Sequence, residues 1–432
     1  MNLTGLSYAI AVLIATIGII GIWHPNEISS LWRMLAACWI LLLLIEWRIS
    51  RRIKFTCTRT VKPTIHLGRH SEITYHINNK QPYTIQLRTL DNYPPNVAES
   101  ANVTGWKLMK NASHENVVAI TPTKLGELNW HDIQSRIRGH FGLAWWSRAI
   151  NVETSTTVIP DRLYNHEVQK TATAHQGDIS RRIMGIGNEL IGLREYIPGD
   201  PLHYIDWKAS ARSNKTMVRL FSDEQHLELM IVIDAGRTST MQAGVLTRLD
   251  HYINIASRLA QKAMLSGDQV GIIVFADSVL ASMHRLKGHH GLQRLRKILG
   301  QIKAVPRESN PLPAIMRVKQ LASLRSLVVM LTDLDDGDAA AQLVKAMNLL
   351  QPKHQPMLAA ISDEDILKLS HQNAINWIDP YNGLAAYEMI QNWRHTRVRL
   401  ERMGVPVVLS GIKHLDKQVL ENYDMLKEHR RI

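Results

Sequence analysis

Between residues 226 and 432, short apolar runs alternate with stretches of helical periodicity. The runs at 229–234, 269–275 and 326–331 have the length of buried strands and consist almost wholly of apolar residues. Between them, apolar residues recur every three to four positions, which predicts amphipathic helices. Strands that alternate with helices in this way predict a doubly wound α/β domain over 226–432, with a largely parallel sheet covered on both faces.

Two apolar runs near the N-terminus favour a different environment. Residues 3–23 contain no charge, and residues 31–47 carry only Arg33 and Glu46, so each has the length of a bilayer span. We therefore expect a transmembrane helical hairpin over 1–50. The basic flank at 48–54 predicts that the rest of the chain is cytoplasmic, as in a multi-pass protein of a bacterial inner membrane that contacts its lipids.

The region between the apolar runs and the α/β domain favours β-structure. Residues 72–77 and 83–87 alternate apolar and polar side chains, and Asn, Pro and Gly separate such runs. Spacing of this kind predicts a β-sandwich-like domain over 54–161. We find no chemical motif in it.

Residues 162–225 join the two predicted domains and hold a dense set of charges, aromatic rings and Gly-Pro turns, which we call the signature segment. Its acids and bases could pair with each other while Tyr196 and Trp207 bury their rings, so that the segment cements neighbouring domains. Alternatively, Arg194, Arg212 and Arg219 could recognise an acidic partner. The candidate residues are Glu189, Arg194, Glu195, Tyr196, Gly199, Asp200, Asp206, Trp207 and Arg212.

The signature segment resembles the pattern of a family known as domain of unknown function fifty-eight, with Gly-x-Glu at 187–189, Arg-Glu-Tyr at 194–196 and Ile-Asp-Trp at 205–207. His203 stands where the family usually has arginine. The region 226–432 resembles a von Willebrand factor A domain, the module normally joined to this signature. The two resemblances imply a membrane protein with an A-type α/β domain.

The resemblance to A domains also implies a candidate cation site after the first strand. Asp234, Thr238 and Asp333 match the motif of a metal-ion-dependent adhesion site, but Gly236 replaces its first serine, and Ser309 or Asn310 are weak stand-ins for the residue of its second loop. Arg237 adds a positive charge that disfavours a cation. We therefore expect no cofactor, with at most weak Mg²⁺ binding, and a partner that docks on Asp234, Arg237, Thr238 and Asp333 without metal.

The function that these resemblances imply is a membrane-anchored, non-enzymatic adaptor that works with a MoxR-type AAA+ ATPase in protein remodelling or assembly. Two other classes stay open: a hydrolase or transglutaminase-like enzyme, and a nucleic-acid-binding membrane protein. A formal net charge of +13 favours an anionic partner without identifying it, although the basic run at 294–297 lacks the interleaved aromatic residues typical of nucleic-acid binding. Neither zinc-ligand, nucleotide-loop nor nucleophile-elbow motifs occur.

Overall fold

A computed structural model describes residues 2–23, 28–98, 104–163, 184–222, 227–334, 337–351, 353–371 and 375–429. The chain divides into two compact units, Met1–Ile159 and Pro160–Ile432. Each unit has its own sheets and core, and each is described by itself.

Among its described residues, the first unit combines two helices with eleven strands. It begins with β1 (Asn2–Leu3), α1 (Gly5–Trp23) and α2 (Ile28–Arg52). The remaining strands are β2 (Phe55–Val61), β3 (Thr64–His66), β4 (Ser71–Asn79), β5 (Ile85–Asp91), β6 (Thr104–Leu108), β7 (Ser113–Ile120), β8 (Gly126–Trp130), β9 (Ile133–Arg138), β10 (Ala144–Ile150) and β11 (Thr154–Ile159). They form a five-stranded sheet in the order β1-β10-β9-β5-β6 and two three-stranded sheets, β2-β4-β7 and β3-β11-β8.

Alternating side chains define the inner faces of these sheets. Along β4, Ile73, Tyr75 and Ile77 are buried while the intervening residues are exposed or half-buried, as the period of a strand requires. A buried ion pair joins two sheets: both oxygens of Asp91 on β5 accept hydrogen bonds from the guanidinium of Arg59 on β2, at 2.9 and 2.8 Å. The hydroxyl of Tyr75 donates to the same carboxylate at 2.5 Å.

The end of α2 is held against the turn between β9 and β10. Glu46 on α2 is fully buried, and its Oε1 accepts a hydrogen bond from the backbone N–H of Leu143 at 3.2 Å. Gly139 permits this approach, because a Cβ at that position would lie 2.1 Å from Glu46 Oε1. Near the start of α1, the hydroxyl of Thr4 donates to the carbonyl of Gly142 at 2.6 Å. Both helices are therefore tied to the β-structure of this unit.

In the part of the chain that the structure describes, no helix is both long enough and apolar enough to cross a bilayer. This finding contradicts the predicted transmembrane hairpin over 1–50 and the predicted multi-pass placement in an inner membrane. Helix α1 has 19 residues and is about 28 Å long, slightly shorter than a hydrocarbon core of about 30 Å. In α2, the charge of Arg33 and the four charged residues from Glu46 onward lower the mean hydropathy. The predicted hairpin loop at 24–27 lies outside the described residues.

The second unit opens with a two-stranded antiparallel hairpin. It consists of β12 (Met184–Glu195) and β13 (Met217–Ser222), with a short 3-10 helix (Leu202–Tyr204) and α3 (Trp207–Ser213) between them. Asp206 caps α3 by accepting a hydrogen bond from Ala209 N at 3.0 Å. The described part of the signature segment is therefore a folded β-hairpin with a helical insertion.

A six-stranded sheet forms the centre of the second unit. Its elements are β14 (Glu228–Asp234), β15 (Gln242–Ala243), β16 (Leu246–Thr247), α4 (Arg248–Leu265), β17 (Gln269–Phe275), β18 (Val279–Leu286), α5 (Gly288–Leu299), α6 (Pro311–Leu321), β19 (Ser326–Leu331), α7 (Gly337–Leu350), β20 (Gln355–Ile361), α8 (Glu364–His371), α9 (Asp379–Arg402), β21 (Val407–Ser410) and α10 (Ile412–His429). The sheet order is β18-β17-β14-β19-β20-β21, and only the edge strand β18 runs antiparallel.

Helices cover both faces of this sheet. On one face, α4 packs on β14 and β17, α5 on β18, and α10 on β20 and β21, and both α5 and α10 contact α4. Helices α6, α7 and α9 bury their apolar sides in a core that includes Ile315, Met347 and Trp393. Every residue of β14 is buried. From β14 the chain adds β17 and β18 on one side of the sheet and then β19, β20 and β21 on the other side. Doubly wound folds bind ligands at such a change of side, next to the carboxyl ends of the strands, and the carboxyl end of β14 lies there.

We expect Gly139→Ala to destabilise the first unit by about 1–3 kcal/mol, because the added methyl group overlaps a buried carboxylate. Thermal unfolding followed by circular dichroism measures the effect. Gly105→Ala is the matched control, since a Cβ there meets its nearest neighbour only at 4.0 Å. Adding Glu46→Ala to Gly139→Ala should remove part of the loss, and additive losses in the double variant would contradict the proposed overlap.

Candidate functional site

Asp234 lies at the carboxyl end of β14 and is the centre of the candidate site. Its Oδ1 accepts hydrogen bonds from the Ser309 hydroxyl at 2.5 Å and the Gly236 N–H at 2.8 Å, while its Oδ2 accepts one from the Thr332 hydroxyl at 2.6 Å. Burial raises the pKa of Asp234, and these donors act in the opposite direction. One carboxylate thus joins three loops at the edge of the sheet.

Ser309 occupies the space beside the residue that departs from the adhesion-site motif. A Cβ on Gly236 would lie 2.0 Å from the Ser309 Oγ and 3.0 Å from the Arg307 carbonyl oxygen. The backbone of Gly236 is extended, so glycine is required there by lack of space and not by its torsion angles. A hydroxyl group therefore does contact Asp234 from this side, and it comes from the loop before α6.

Asp333, the second predicted carboxylate, belongs to a buried ionic cluster. Its Oδ1 lies 3.0 Å from Arg248 Nη1 and accepts a hydrogen bond from the Tyr252 hydroxyl at 2.6 Å. The Asp333 and Arg248 side chains are only 3% and 2% exposed. Burial, and next the charge of Asp333, raise the pKa of Tyr252 well above its ordinary value. The negative charge of Asp333 is therefore matched inside the protein.

Exposed charges stand on the rim of the cleft that Asp234 and Asp333 line. Arg237 and Glu308 form an ion pair of 3.2 Å, with side chains 53% and 76% exposed. Thr238 is half-buried between the rim and the floor. The cavity measures about 40 Å³, enough for about three water molecules. The structure thus brings Asp234, Arg237, Thr238 and Asp333 to one cleft.

Tight Mg²⁺ binding needs several oxygen atoms that are free to face the ion. Mg²⁺ in proteins is held mainly by carboxylate and water oxygens. Of the two predicted carboxylates, Asp333 is paired with the buried Arg248, and Asp234 accepts hydrogen bonds such as that from Ser309. The guanidinium of Arg237 lines the same cleft. Within the described ranges, no group of three or more His, Cys, Asp or Glu side chains is placed to hold a metal ion.

Ion pairs brace the signature segment. Arg194 contacts Asp200 at 2.5 Å, Lys215 contacts Glu195 at 2.7 Å, and Asp206 accepts from Arg219 Nε at 2.9 Å. Asp200 also accepts a hydrogen bond from Ile197 N at 2.9 Å, which fixes the turn that contains Gly199. The acids and bases of the segment thus pair with each other at three places.

The burial predicted for this segment is wrong in one respect. The ring of Trp207 is 72% exposed because α3 is an insertion in the hairpin and its first residue points to solvent. Tyr196 is half-buried, and Arg212 is exposed without an ion pair among the described residues. The side chain of Glu189 lies outside the described residues, although its backbone belongs to β12.

A comparison with known families places these features together. Residues 192–405 match the family described as protein of unknown function DUF58. The match begins in β12, includes α3 and the whole cleft, and ends just before β21. The resemblance noted in the signature segment is therefore confirmed as a match to DUF58.

Curated relatives and solved structures add similarity without a described function. The chain is 24% identical over 218 residues to the uncharacterized proteins Rv1480 of Mycobacterium tuberculosis and Mb1516 of Mycobacterium bovis, which covers 50% of this chain and 58% of theirs. Solved structures that match part of this chain include the CARDB domain of the PF1109 protein from Pyrococcus furiosus and a FixG-related protein from Vibrio parahaemolyticus. Each aligns with 24% of this chain, at 12% and 9% identity and TM-scores of 0.19 and 0.18, respectively.

Three residues of the DUF58 region contribute to the site but were not predicted from the sequence. Arg248 and Tyr252 contact Asp333 from the start of α4, and Glu308 pairs with Arg237. A signal for the first two exists: both stand, four residues apart, on the same side of α4 as its buried apolar residues. A charged residue on an apolar helix face needs a buried partner.

For the cleft of the DUF58 region, we expect calorimetric titration with Mg²⁺ to give no site tighter than about millimolar, a binding free energy near 4 kcal/mol. The physical reason is the single unmatched carboxylate beside a guanidinium group. Asp234→Ala is the control and should leave the heat of titration unchanged. Micromolar binding that Asp234→Ala abolishes would contradict this expectation.

The signature segment should contribute to stability in a pH-dependent way. Arg194 and the Ile197 N–H lower the pKa of Asp200, while the Ala209 N–H and then Arg219 lower that of Asp206. A lowered folded-state pKa stabilises the protein above the ordinary value of about 4, and this contribution is lost as the pH falls through the folded-state value.

We therefore expect the doubly substituted Asp200→Asn, Asp206→Asn variant to melt at a lower temperature than the parent at pH 7, and to lose less stability between about pH 5 and pH 2. Thermal melts over this pH range measure both effects. Arg194→Gln should reproduce the part that belongs to Asp200. If the melting temperature of every variant fell between pH 5 and pH 2 as steeply as that of the parent, these ion pairs would not have the proposed role.

Proposed function

We propose that this chain is a non-enzymatic adaptor that docks a protein partner on the rim of the cleft at the carboxyl edge of the six-stranded sheet. The partner class follows from the resemblance described above, a MoxR-type AAA+ ATPase engaged in remodelling or assembling other proteins. The docking residues are Arg237, Thr238 and the neighbouring Glu308, above a floor formed by Asp234 and Asp333.

One observation carries the proposal: the carboxylates at the strand ends are occupied by internal contacts. Asp234 accepts three hydrogen bonds, and Asp333 is paired with Arg248 and Tyr252. A general base or a metal ligand needs an oxygen that faces the substrate or the ion. Asp234 and Asp333 instead hold the loops of the rim in place, which supports binding of a partner over catalysis.

The rim suits recognition of a charged surface. An exposed ion pair such as Arg237 with Glu308 contributes about 0–1 kcal/mol, so a partner can replace one member at little cost. Arginine binds carboxylates through two parallel hydrogen bonds, which gives geometric specificity. The net charge of +13 favours a partner whose contact surface is acidic.

The lining of the cleft gives little support to a hydrolase. Ser309 and Thr332 point their hydroxyl groups at Asp234, and the described residues that line the cleft include no histidine. A serine or threonine nucleophile needs a base within hydrogen-bond reach that can take up its proton, with a third group to orient that base. Here the carboxylate is already shared among three donors.

We expect Arg237→Glu to weaken binding to a purified MoxR-type ATPase of the source organism by at least about tenfold, since it reverses the charge presented to an acidic surface. Biolayer interferometry with the immobilised full chain measures the affinity. Arg397→Glu is the matched control, because Arg397 is a similarly exposed arginine, paired with Glu401 on α9.

The control should stay within about twofold of the parent, and the affinity of the parent should fall as salt is raised. Equal binding by Arg237→Glu and the parent would show that the rim is not the docking surface. The combined Arg237→Glu, Glu308→Arg variant keeps the net charge, so loss of binding in it would assign the contact to the position of the charges.

A further inference from the structure

Helices α8 and α9 follow one another in the chain between β20 and β21 and pack against each other, and the segment from Ile375 to Tyr387 presents large apolar side chains to solvent. Five of these form what we call the hairpin stripe: Ile375 (84% exposed), Trp377 (82%), Tyr381 (68%), Leu384 (59%) and Tyr387 (54%). A helix of a soluble fold normally turns polar residues away from its core face. The hairpin stripe breaks this rule.

The hairpin stripe lies on a different face of α9 from the residues that pack in the core. The buried residues of α9 are Ala386, Trp393, Thr396 and Leu400. At 100° per residue, these four cluster on one side of the helix, whereas Tyr381, Leu384 and Tyr387 cluster on the other. Helix α9 therefore has two apolar faces in its first half, and only one of them packs against the sheet.

The turn at 375–379, which leads into α9, is held by hydrogen bonds. Asp379, the first residue of α9, accepts hydrogen bonds from the backbone N–H groups of Ile375 and Asn376 at 2.8 and 2.7 Å. These bonds lower the pKa of Asp379 and fix the turn that displays Ile375 and Trp377. Pre-organised aromatic side chains lose little entropy on binding and are typical anchors of interfaces.

We propose that the hairpin stripe is a self-association surface, on which a second copy of this chain packs α9 antiparallel to α9 about a two-fold axis near Tyr381. An axis at this position brings the Tyr381 side chains of the two copies together and places Leu384 and Tyr387 of one copy opposite the segment from Ile375 to Ile378 of the other. Most of the large side chains along this contact are apolar, and Asp379 is the charged residue in it. Interfaces of this isologous kind are the commonest in homo-oligomers.

The exposed area of the stripe approaches that of a standard protein–protein interface. Large aromatic side chains offer about 150–250 Å² each, so the exposed parts of Trp377, Tyr381 and Tyr387 amount to roughly 400 Å². Standard interfaces bury about 800 Å² per partner, and Ile375, Ile378 and Leu384 extend the stripe toward that size.

The distribution of charge favours a second copy over an acidic partner. Between Ile375 and Tyr387 the one charged residue is the half-buried Asp379, and exposed charges follow beyond this segment, with Glu388 and the arginines Arg394, Arg399 and Arg402. In the antiparallel arrangement the two Arg394 positions lie about 40 Å apart, several times the distance over which salt screens charge. A net charge of +13 on each copy opposes association, so added salt should strengthen this dimer.

Sedimentation velocity on the full chain over a range of concentrations tests the proposal. We expect a monomer–dimer equilibrium with a micromolar Kd that becomes tighter between about 50 and 500 mM NaCl. Leu384→Glu and Tyr381→Glu place negative charges close to the two-fold axis and to the Asp379 carboxylates, and should each raise the Kd by at least about tenfold. Leu324→Glu is the matched control, since Leu324 is 68% exposed outside the stripe, and should leave the Kd within about twofold.

Circular dichroism of each variant verifies that the fold is intact. A parent that stays monomeric at every concentration overturns the proposal, and so does a dimer that survives both substitutions in the stripe. A dimer that weakens as salt is raised also overturns it, because the contact would then be ionic. Since the assay contains no ATPase, its outcome is independent of the adaptor function proposed for the rim.

Discussion

The carboxylate of Asp234 organises the carboxyl edge of the second unit. It is placed there by β14, the central strand, and it accepts hydrogen bonds from the loop after that strand, from the loop before α6 and from the end of β19. Burying a charge is costly unless donors surround it, and bonds to a charged group contribute about 1.5–3 kcal/mol each. The loops that shape the cleft therefore depend on this one carboxylate. Arg237 on the rim depends on it too, because it directly follows Gly236, whose N–H donates to Asp234.

The large elements of the second unit could be predicted because their signals are local. The run at 229–234 corresponds to β14 (Glu228–Asp234), and the runs at 269–275 and 326–331 coincide with β17 and β19. An uninterrupted apolar run can be satisfied only by burial on both faces, which a parallel sheet supplies. The edge strand β18 was not predicted, because its residues are mixed in polarity and only partly buried.

Contacts between distant parts of the sequence could not be predicted in the same way. Glu46 appeared as a charge near the end of an apolar run, yet its carboxylate accepts a hydrogen bond from Leu143, 97 residues away. Trp207 was expected to be buried because aromatic rings usually are, but exposure depends on how the helical insertion leaves its hairpin. In both cases periodicity indicates that a side chain needs an environment and does not say which segment provides it.

The pair Gly236 and Ser309 illustrates the same limit within the site. By motif, glycine at 236 means that a hydroxyl group has been lost from the cleft. In the structure, the Ser309 hydroxyl lies where a side chain at 236 would begin, and it donates to the Asp234 oxygen that also accepts the Gly236 N–H. The glycine and the serine are thus sterically coupled, since a side chain at 236 would displace Ser309. What distinguishes this cleft from the adhesion-site motif is therefore less a missing oxygen than the position of its charges: one of the two carboxylates is matched by buried Arg248, and a second arginine stands at the entrance. With Glu308 paired to Arg237 and Asp333 paired to Arg248, each of these charges has an internal partner, and Asp234 is instead stabilised by the three hydrogen bonds that it accepts.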